Sequence, residues 1–183
     1  RQVEIAGPDA AKLAQMLTPR DLSSLKVGQC FYVPIIDDNA GMINDPVLLK
    51  LTKNRFWLSI ADSDVLLWAK GLAVGLGLDV DIFEPDVSPL AVQGPKAKAL
   101  MTDIFGHQIF DVPFFGFKAI PMFGKNQIIA RSGYSKQGGF EIYLHGSHFG
   151  NELWDLIWKA GEPYNIWPGS PNLIERIEGG LMS

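Results

Sequence analysis

Glu141 makes the largest chemical demand on this chain. It lies in "ARSGYSKQGGFEIYL", residues 130–144. Read as a strand, the segment puts Phe140, Ile142 and Leu144 on one face and Glu141 with Tyr143 on the other. A carboxylate in so apolar a strand is costly unless donors meet it. Gly138 and Gly139, just upstream, let a backbone or a ligand approach closely. Taken alone, Glu141 also fits a solvated strand residue.

Further polar residues interrupt apolar runs. Asn44 and Asp45 head the hydrophobic strand "INDPVLLKL" directly before Pro46, where an aspartate by itself serves as a turn residue. Arg176 stands in "IERIEGGL" between Ile174 and Ile177, and an exposed ion pair with Glu175 or Glu178 would be worth little. Tyr32, Tyr134 and Trp57 are core or rim aromatics by default. Together these groups suit a flat, polar heteroaromatic ligand. A pterin edge offers paired N–H donors that a carboxylate accepts bidentately, and its ring needs an aromatic or apolar slot.

Other chemistries fit less well. "GLAVGLG" ends a helical pattern instead of following a strand, so it is not a nucleotide-binding loop. His107, His145 and His148 have no cysteine or carboxylate cluster at ligand spacing, which leaves no metal site, and no G-x-S-x-G elbow is present. Cys30, the only cysteine, reads as a small apolar strand residue. A net charge of −4 without a basic stripe argues against nucleic acid. No apolar run approaches the roughly 20 residues of a membrane span. The expectation is a soluble, cytoplasmic protein acting on a small molecule.

The elements that must position these residues can be read in order. "VEI" is a strand, and "GPDAAKLAQML" a helix with Pro8 in its first turn and Leu13, Met16 and Leu17 on one face. "CFYVPII", "INDPVLLKL" and "RFWLSI" form a meander around the turns "DDNAG" and "TKN". "ADSDVLLWAKGLAVGLG" is a helix capped by Asp62 or Ser63, its last turns weakened by glycine. Then "LAVQGPKAKALMTDIFG" repeats "VEIAGPDAAKLAQMLTP", with Gly7 and Gly94 as equivalent points 87 residues apart. "FFGFKAIPMF", "NQIIARSG" and "FEIYL" are strands. "GNELWDLIWKAG" is a helix with Leu153, Leu156 and Ile157 inward, and "SPNLIERIEGGL" starts a last helix at Pro171. The expected fold class is α+β, as two similar αβ lobes over 1–86 and 87–183 with antiparallel or mixed sheets.

The segments "DDNAGMINDPVLLKL", "LAVQGPKA", "ARSGYSKQGGFEIYL" and "LIERIEGGL" resemble signature segments of the folate-dependent aminomethyltransferase family, whose type member is the glycine cleavage T-protein. The resemblance runs essentially end to end. It is strongest, through "RQVEI", "RDLS", "YVPIIDD", "SIADSDV", "FFGF" and "PNLIERIE", to a branch that demethylates a small sulfonium compound. It implies tetrahydrofolate bound in a central cavity, one-carbon transfer to the pterin nitrogen without a metal, and a small-molecule methyl donor. By motif position, Asp45 matches the acid beside that nitrogen and Glu141 the carboxylate that grips the pterin edge. Arg176 matches the helix arginine of the substrate or folate pocket, and Tyr32 and Tyr134 fall on aromatic positions.

Two residues depart from the pattern. Tyr134 stands where the sulfonium branch has Trp, and Ala61 where the T-protein has Asn. An aminomethyltransferase would need a lipoyl carrier protein as partner. A non-catalytic folate-binding accessory would carry a "KGCYxGQE"-type segment, where this chain has "SGYSKQGGFE". Opening without Met inside a strand and closing at "IERIEGGLMS", the chain reads as a fragment whose family strands upstream and domain downstream lie outside it.

Overall fold

The alternation in Gln2–Ala6 (β1) sets the first unit: Val3 and Ile5 turn to one side of a sheet, Gln2 and Glu4 to the other. The computed structural model describes residues 1–60, 64–133, 135–170 and 173–180. Contacts divide the chain into two units, Arg1–Pro85 and Asp86–Ser183.

In the first unit β1 is followed by α1 (Ala10–Met16), β2 (Cys30–Tyr32), β3 (Ile35–Ile36), β4 (Met42–Asn44), β5 (Val47–Thr52), β6 (Arg55–Ser59), α2 (Val65–Gly75) and β7 (Asp81–Phe83). Five strands form an antiparallel sheet in the order β2-β5-β6-β1-β7, and β3 pairs with β4 separately. One face carries Val3, Ile5, Leu48, Phe56 and Leu58, packed against Leu13 and Leu17 near α1 and Val65 and Ala69 of α2. The other face reads in rows. Gln2, Ser59, Val47 and Tyr32 lie opposite one another across four strands, and Glu4, Trp57, Leu49 and Cys30 form the next row.

The second unit repeats the strand–glycine–helix opening. It contains β8 (Val87–Gln93), α3 (Ala97–Phe105), β9 (Phe117–Met122), β10 (Lys125–Ala130), β11 (Gly139–His145), α4 (Gly150–Gly161) and α5 (Leu173–Glu178). Its sheet, ordered β8-β11-β10-β9, is antiparallel throughout. Phe140, Ile142 and Leu144 pack with Leu100, Met101 and Phe105 of α3 and Leu153 and Ile157 of α4. The repeat is the same turn twice: Gly7 and Gly94 have φ of +134° and +119°, and their carbonyls accept from Ala10 and Ala97.

Several expectations need correction. "CFYVPII" and "INDPVLLKL" are each broken, after Tyr32 and after Asn44, because Pro34 and Pro46 cannot donate to a ladder. The pieces serve two different sheets. The three-residue β7, with Asp81 and Phe83 exposed, was too short and too polar to be expected, yet it completes the sheet beside β1. Met16 and Leu156 are 49% and 38% exposed and not inward. α2 passes Gly71 without a break and has Asp64 at its N-cap. The expected caps Asp62 and Ser63 lie outside the described residues, as does Pro171, and α5 runs from Leu173. No helix among the described residues is long and apolar enough to cross a membrane.

Glu4 shows how the polar face of the first sheet is held. Its carboxylate accepts Arg55 Nε at 2.5 Å, Arg55 Nη2 at 2.9 Å and Trp57 Nε1 at 2.7 Å. The Arg55 guanidinium remains partly in solvent, and its hydrogen bonds to Glu4 outweigh its desolvation and raise its pKa. Trp57 is fully buried, so its indole N–H depends on Glu4. Glu4→Leu strands that donor and should cost about 2 kcal/mol in urea unfolding. A double-mutant cycle with Trp57→Phe should return a coupling of at least about 1 kcal/mol; zero coupling would mean that the carboxylate does not support the indole.

Candidate functional site

On the first unit Tyr32 ends β2, and Asp45 sits in the two-residue break between β4 and β5. Pro46 makes that break. Its carbonyl still accepts the Val33 N–H at 2.9 Å, so the chain holds register while Asp45 leaves the ladder. Tyr32 hydroxyl then donates to Asp45 Oδ2 at 3.1 Å. Arg20 fixes the tyrosine from behind, donating to the Tyr32 carbonyl at 2.7 Å with its guanidinium 4.1 Å above the Phe31 ring. Both Tyr32 and Asp45 are half-buried. An apolar groove lined by Ile43, Leu67, Trp68 and Leu72, with Asp37 and Asp64 at its rim, lies elsewhere on this unit and includes none of the candidates.

On the second unit Glu141 sits in the middle of β11, opposite Ala91 of β8 and Ala130 of β10. Two alanines leave the carboxylate room on both sides. Ser132 hydroxyl donates a very short hydrogen bond to Glu141 Oε2, and Tyr143 hydroxyl a long one at 3.5 Å to the same oxygen. Burial raises the Glu141 pKa, and the two hydroxyls only partly oppose it. With both donors on Oε2, Oε1 is left among the described residues for an incoming N–H. Glu141 is thus well suited to a ligand that brings donors.

The glycines before Glu141 serve the protein itself. Gly139 has φ +153°, and a Cβ there would overlap the Val92 carbonyl and come within 2.8 Å of the Gln93 amide. Gln93 occupies the space that Gly133 and Gly139 leave open. Its Nε2 donates to the Ser132 and Phe140 carbonyls at 3.2 and 3.4 Å, and its Oε1 accepts from Ser135 Oγ at 3.2 Å. One amide thereby ties both ends of the loop that delivers Ser132 to Glu141.

Sequence reasoning named Glu141 but missed Ser132, Gln93 and the part played by Tyr143. For Tyr143 the signal was present, two residues along the same strand face. For Gln93 it was absent, since its contacts span 39 to 47 residues, and Ser132 meets Glu141 only through the fold of a loop that separates them by nine residues. Arg176 is half-buried on α5, whose neighbours Leu173, Ile174 and Ile177 are exposed. Tyr134 and Ala61 lie outside the described residues.

This arrangement of antiparallel sheets and helices has close structural counterparts. The aminomethyltransferase T of the glycine cleavage system from Bartonella henselae superposes with a TM-score of 0.83 at 25% identity, over 100% of this chain and 49% of that one. A chain of the heterotetrameric sarcosine oxidase of Corynebacterium, 15% identical, shares the fold with a TM-score of 0.64 over 92% of this chain and 83% of its own. The fold is that of the glycine cleavage T-protein.

The family follows from the sequence as well. The model of the GCVT N-terminal domain matches residues 1–183, and the chain belongs to that family, as the signature segments led one to expect. Dimethylsulfoniopropionate demethylase of Ruegeria pomeroyi is 50% identical over all of this chain and 50% of its own length. The aminomethyltransferase of Thermoanaerobacter pseudethanolicus is 28% identical over 98% of this chain and 50% of its own. The chain therefore spans about half the length of these curated relatives.

The raised pKa of Glu141 gives a testable pH dependence. Between its ordinary value of 4.5 and its higher folded value, the folded state binds more protons than the unfolded, so stability falls as pH rises through that window. Glu141→Gln keeps the shape and removes the titration. The variant should be more stable than the parent at neutral pH and lose that advantage as pH falls toward 4.5, measured by thermal unfolding across pH. A constant difference at all pH values would show that Glu141 does not titrate abnormally.

Proposed function

We propose that this chain is the folate-binding part of a tetrahydrofolate-dependent methyltransferase that takes the S-methyl group of dimethylsulfoniopropionate. The supporting observation is the 50% identity along the whole chain to a demethylase of that compound, against 28% to an aminomethyltransferase. The site chemistry agrees with it. A paired hydroxyl–carboxylate and a separate, partly desolvated carboxylate with an open oxygen are groups a reduced pterin can use.

Bound tetrahydrofolate supplies the nucleophilic nitrogen that accepts the methyl group, while the breaking carbon–sulfur bond leaves its electron pair on sulfur as a neutral thioether. The leaving group needs no acid, so the protein contributes mainly alignment. In this reading Glu141 holds the pterin edge through Oε1, with Ser132 and Tyr143 fixing the other oxygen. Asp45, oriented by the Tyr32 hydroxyl, stabilises the positive charge on the methylated nitrogen and takes its proton. Tyr32 or Tyr134 offers an aromatic face to the sulfonium, worth about 0.5–2 kcal/mol. Arg176 pairs with a carboxylate of the folate or the donor. No metal enters this mechanism, and the setting expected for it is the cytoplasm.

Three measurements test this. The intact protein, given dimethylsulfoniopropionate and tetrahydrofolate, should form methyltetrahydrofolate; if it does not but transfers an aminomethyl group from a lipoyl carrier, the aminomethyltransferase reading replaces this one. Glu141→Ala should weaken tetrahydrofolate binding at least about tenfold in a titration, the loss of a charge-assisted hydrogen bond. Asp45→Asn should lower kcat by about 100-fold with folate affinity little changed. Equal folate affinity in the Glu141 variant would remove its assigned role.

A further inference from the structure

The row of side chains that contains Tyr32 continues across β5 and β6 to Gln2 on β1. Gln2 is 2% exposed. Its Nε2 donates to Ser59 Oγ at 3.3 Å, but its Oε1 has no donor among the described residues. The other inward glutamines are different. Gln127, fully buried, donates to the Met122 and His145 carbonyls and accepts the His145 N–H at 2.6 Å, and Gln93 also uses both ends of its amide.

A buried carbonyl oxygen without a donor is a standing cost, and a methionine would fill the same space without it. The cost makes sense if the donor arrives with a ligand. Gln2 shares its sheet face with Tyr32, whose hydroxyl holds Asp45. Three strand spacings separate the two residues, about 14 Å in all. That span suits a long ligand better than a small one. Dimethylsulfoniopropionate, moreover, has no N–H or O–H to offer at neutral pH.

We propose that Gln2 is a folate-contacting residue whose Oε1 accepts an N–H of tetrahydrofolate lying along the row from Tyr32 to Gln2. Ser59 takes part by anchoring the amide nitrogen, which leaves the oxygen facing the ligand. This assignment rests on the folate reading above and adds a contact on the first unit that does not depend on Glu141.

The test is Gln2→Met in the intact protein, with tetrahydrofolate as the probe and three readouts. Without ligand, the melting temperature should be equal to or higher than that of Ser59→Ala, since both variants lose the Nε2–Ser59 bond and only Gln2→Met removes the unpaired buried oxygen. Tetrahydrofolate Kd should rise about tenfold, while the KM for dimethylsulfoniopropionate should stay within twofold. Unchanged folate affinity overturns the proposal. A melting temperature without ligand that falls below that of Ser59→Ala, which removes the same Nε2 bond, overturns it too, because Oε1 would then have a partner within the protein. If the parent itself fails to bind tetrahydrofolate, the folate reading falls and this contact with it; a parent that binds and a variant that binds equally well refutes Gln2 alone.

Discussion

Taking a carboxylate out of water is the constraint on which both units are built, and they meet it in opposite ways. Glu4 is surrounded by three N–H donors, two from Arg55 and one from Trp57. Its charge is fully compensated, and nothing remains for a ligand to add. Glu141 has only two hydroxyls, both on the same oxygen, and they do not offset the burial that raises its pKa. The first carboxylate is a fastening of the sheet. The second is held partly unsatisfied, at a cost in stability.

The surrounding architecture follows from keeping one face of each sheet for helices. Val3, Ile5, Leu48 and Leu58 on one side, and Phe140, Ile142 and Leu144 on the other, meet helices that are themselves short. The opposite faces are then free to carry Gln2, Tyr32, Glu141 and Tyr143 at fixed cross-strand positions. Strand register thus does what a long loop would do less accurately. A slip by one residue would send every one of these groups into the apolar core.

How far this was legible in the sequence depends on range. Alternation over a few residues was enough to place Glu141 opposite Phe140 and Ile142, and the Gly-Pro repeat was enough to find two equivalent strand–helix turns. Proline was read as a helix start at Pro8 and Pro171, but not at Pro34 and Pro46 as a break that moves half of an apolar run into another sheet, because its effect depends on which partner strand needs a donor. Asp45 owes its position to such a break. Gln93 was invisible, since a glutamine in "LAVQGPKA" looks like any polar residue at a strand end until the glycines of a distant loop close around it. The ligand itself was named by family resemblance, since side-chain types alone pointed no further than a flat polar ring.

Gln93 has one more consequence. The segment from Arg131 to Gly138 is closed at its base by the β10–β11 ladder, by the Gly94 N–H on the Gly138 carbonyl and by the Gln93 side chain, and not by a tight hairpin turn. Loop-closure entropy grows only slowly with length, so residues can be exchanged or even inserted near Tyr134 while both anchored ends keep their places. Such a loop is a replaceable part. A family built this way can redraw a few residues around position 134 while the strand bearing Glu141 stays as it is.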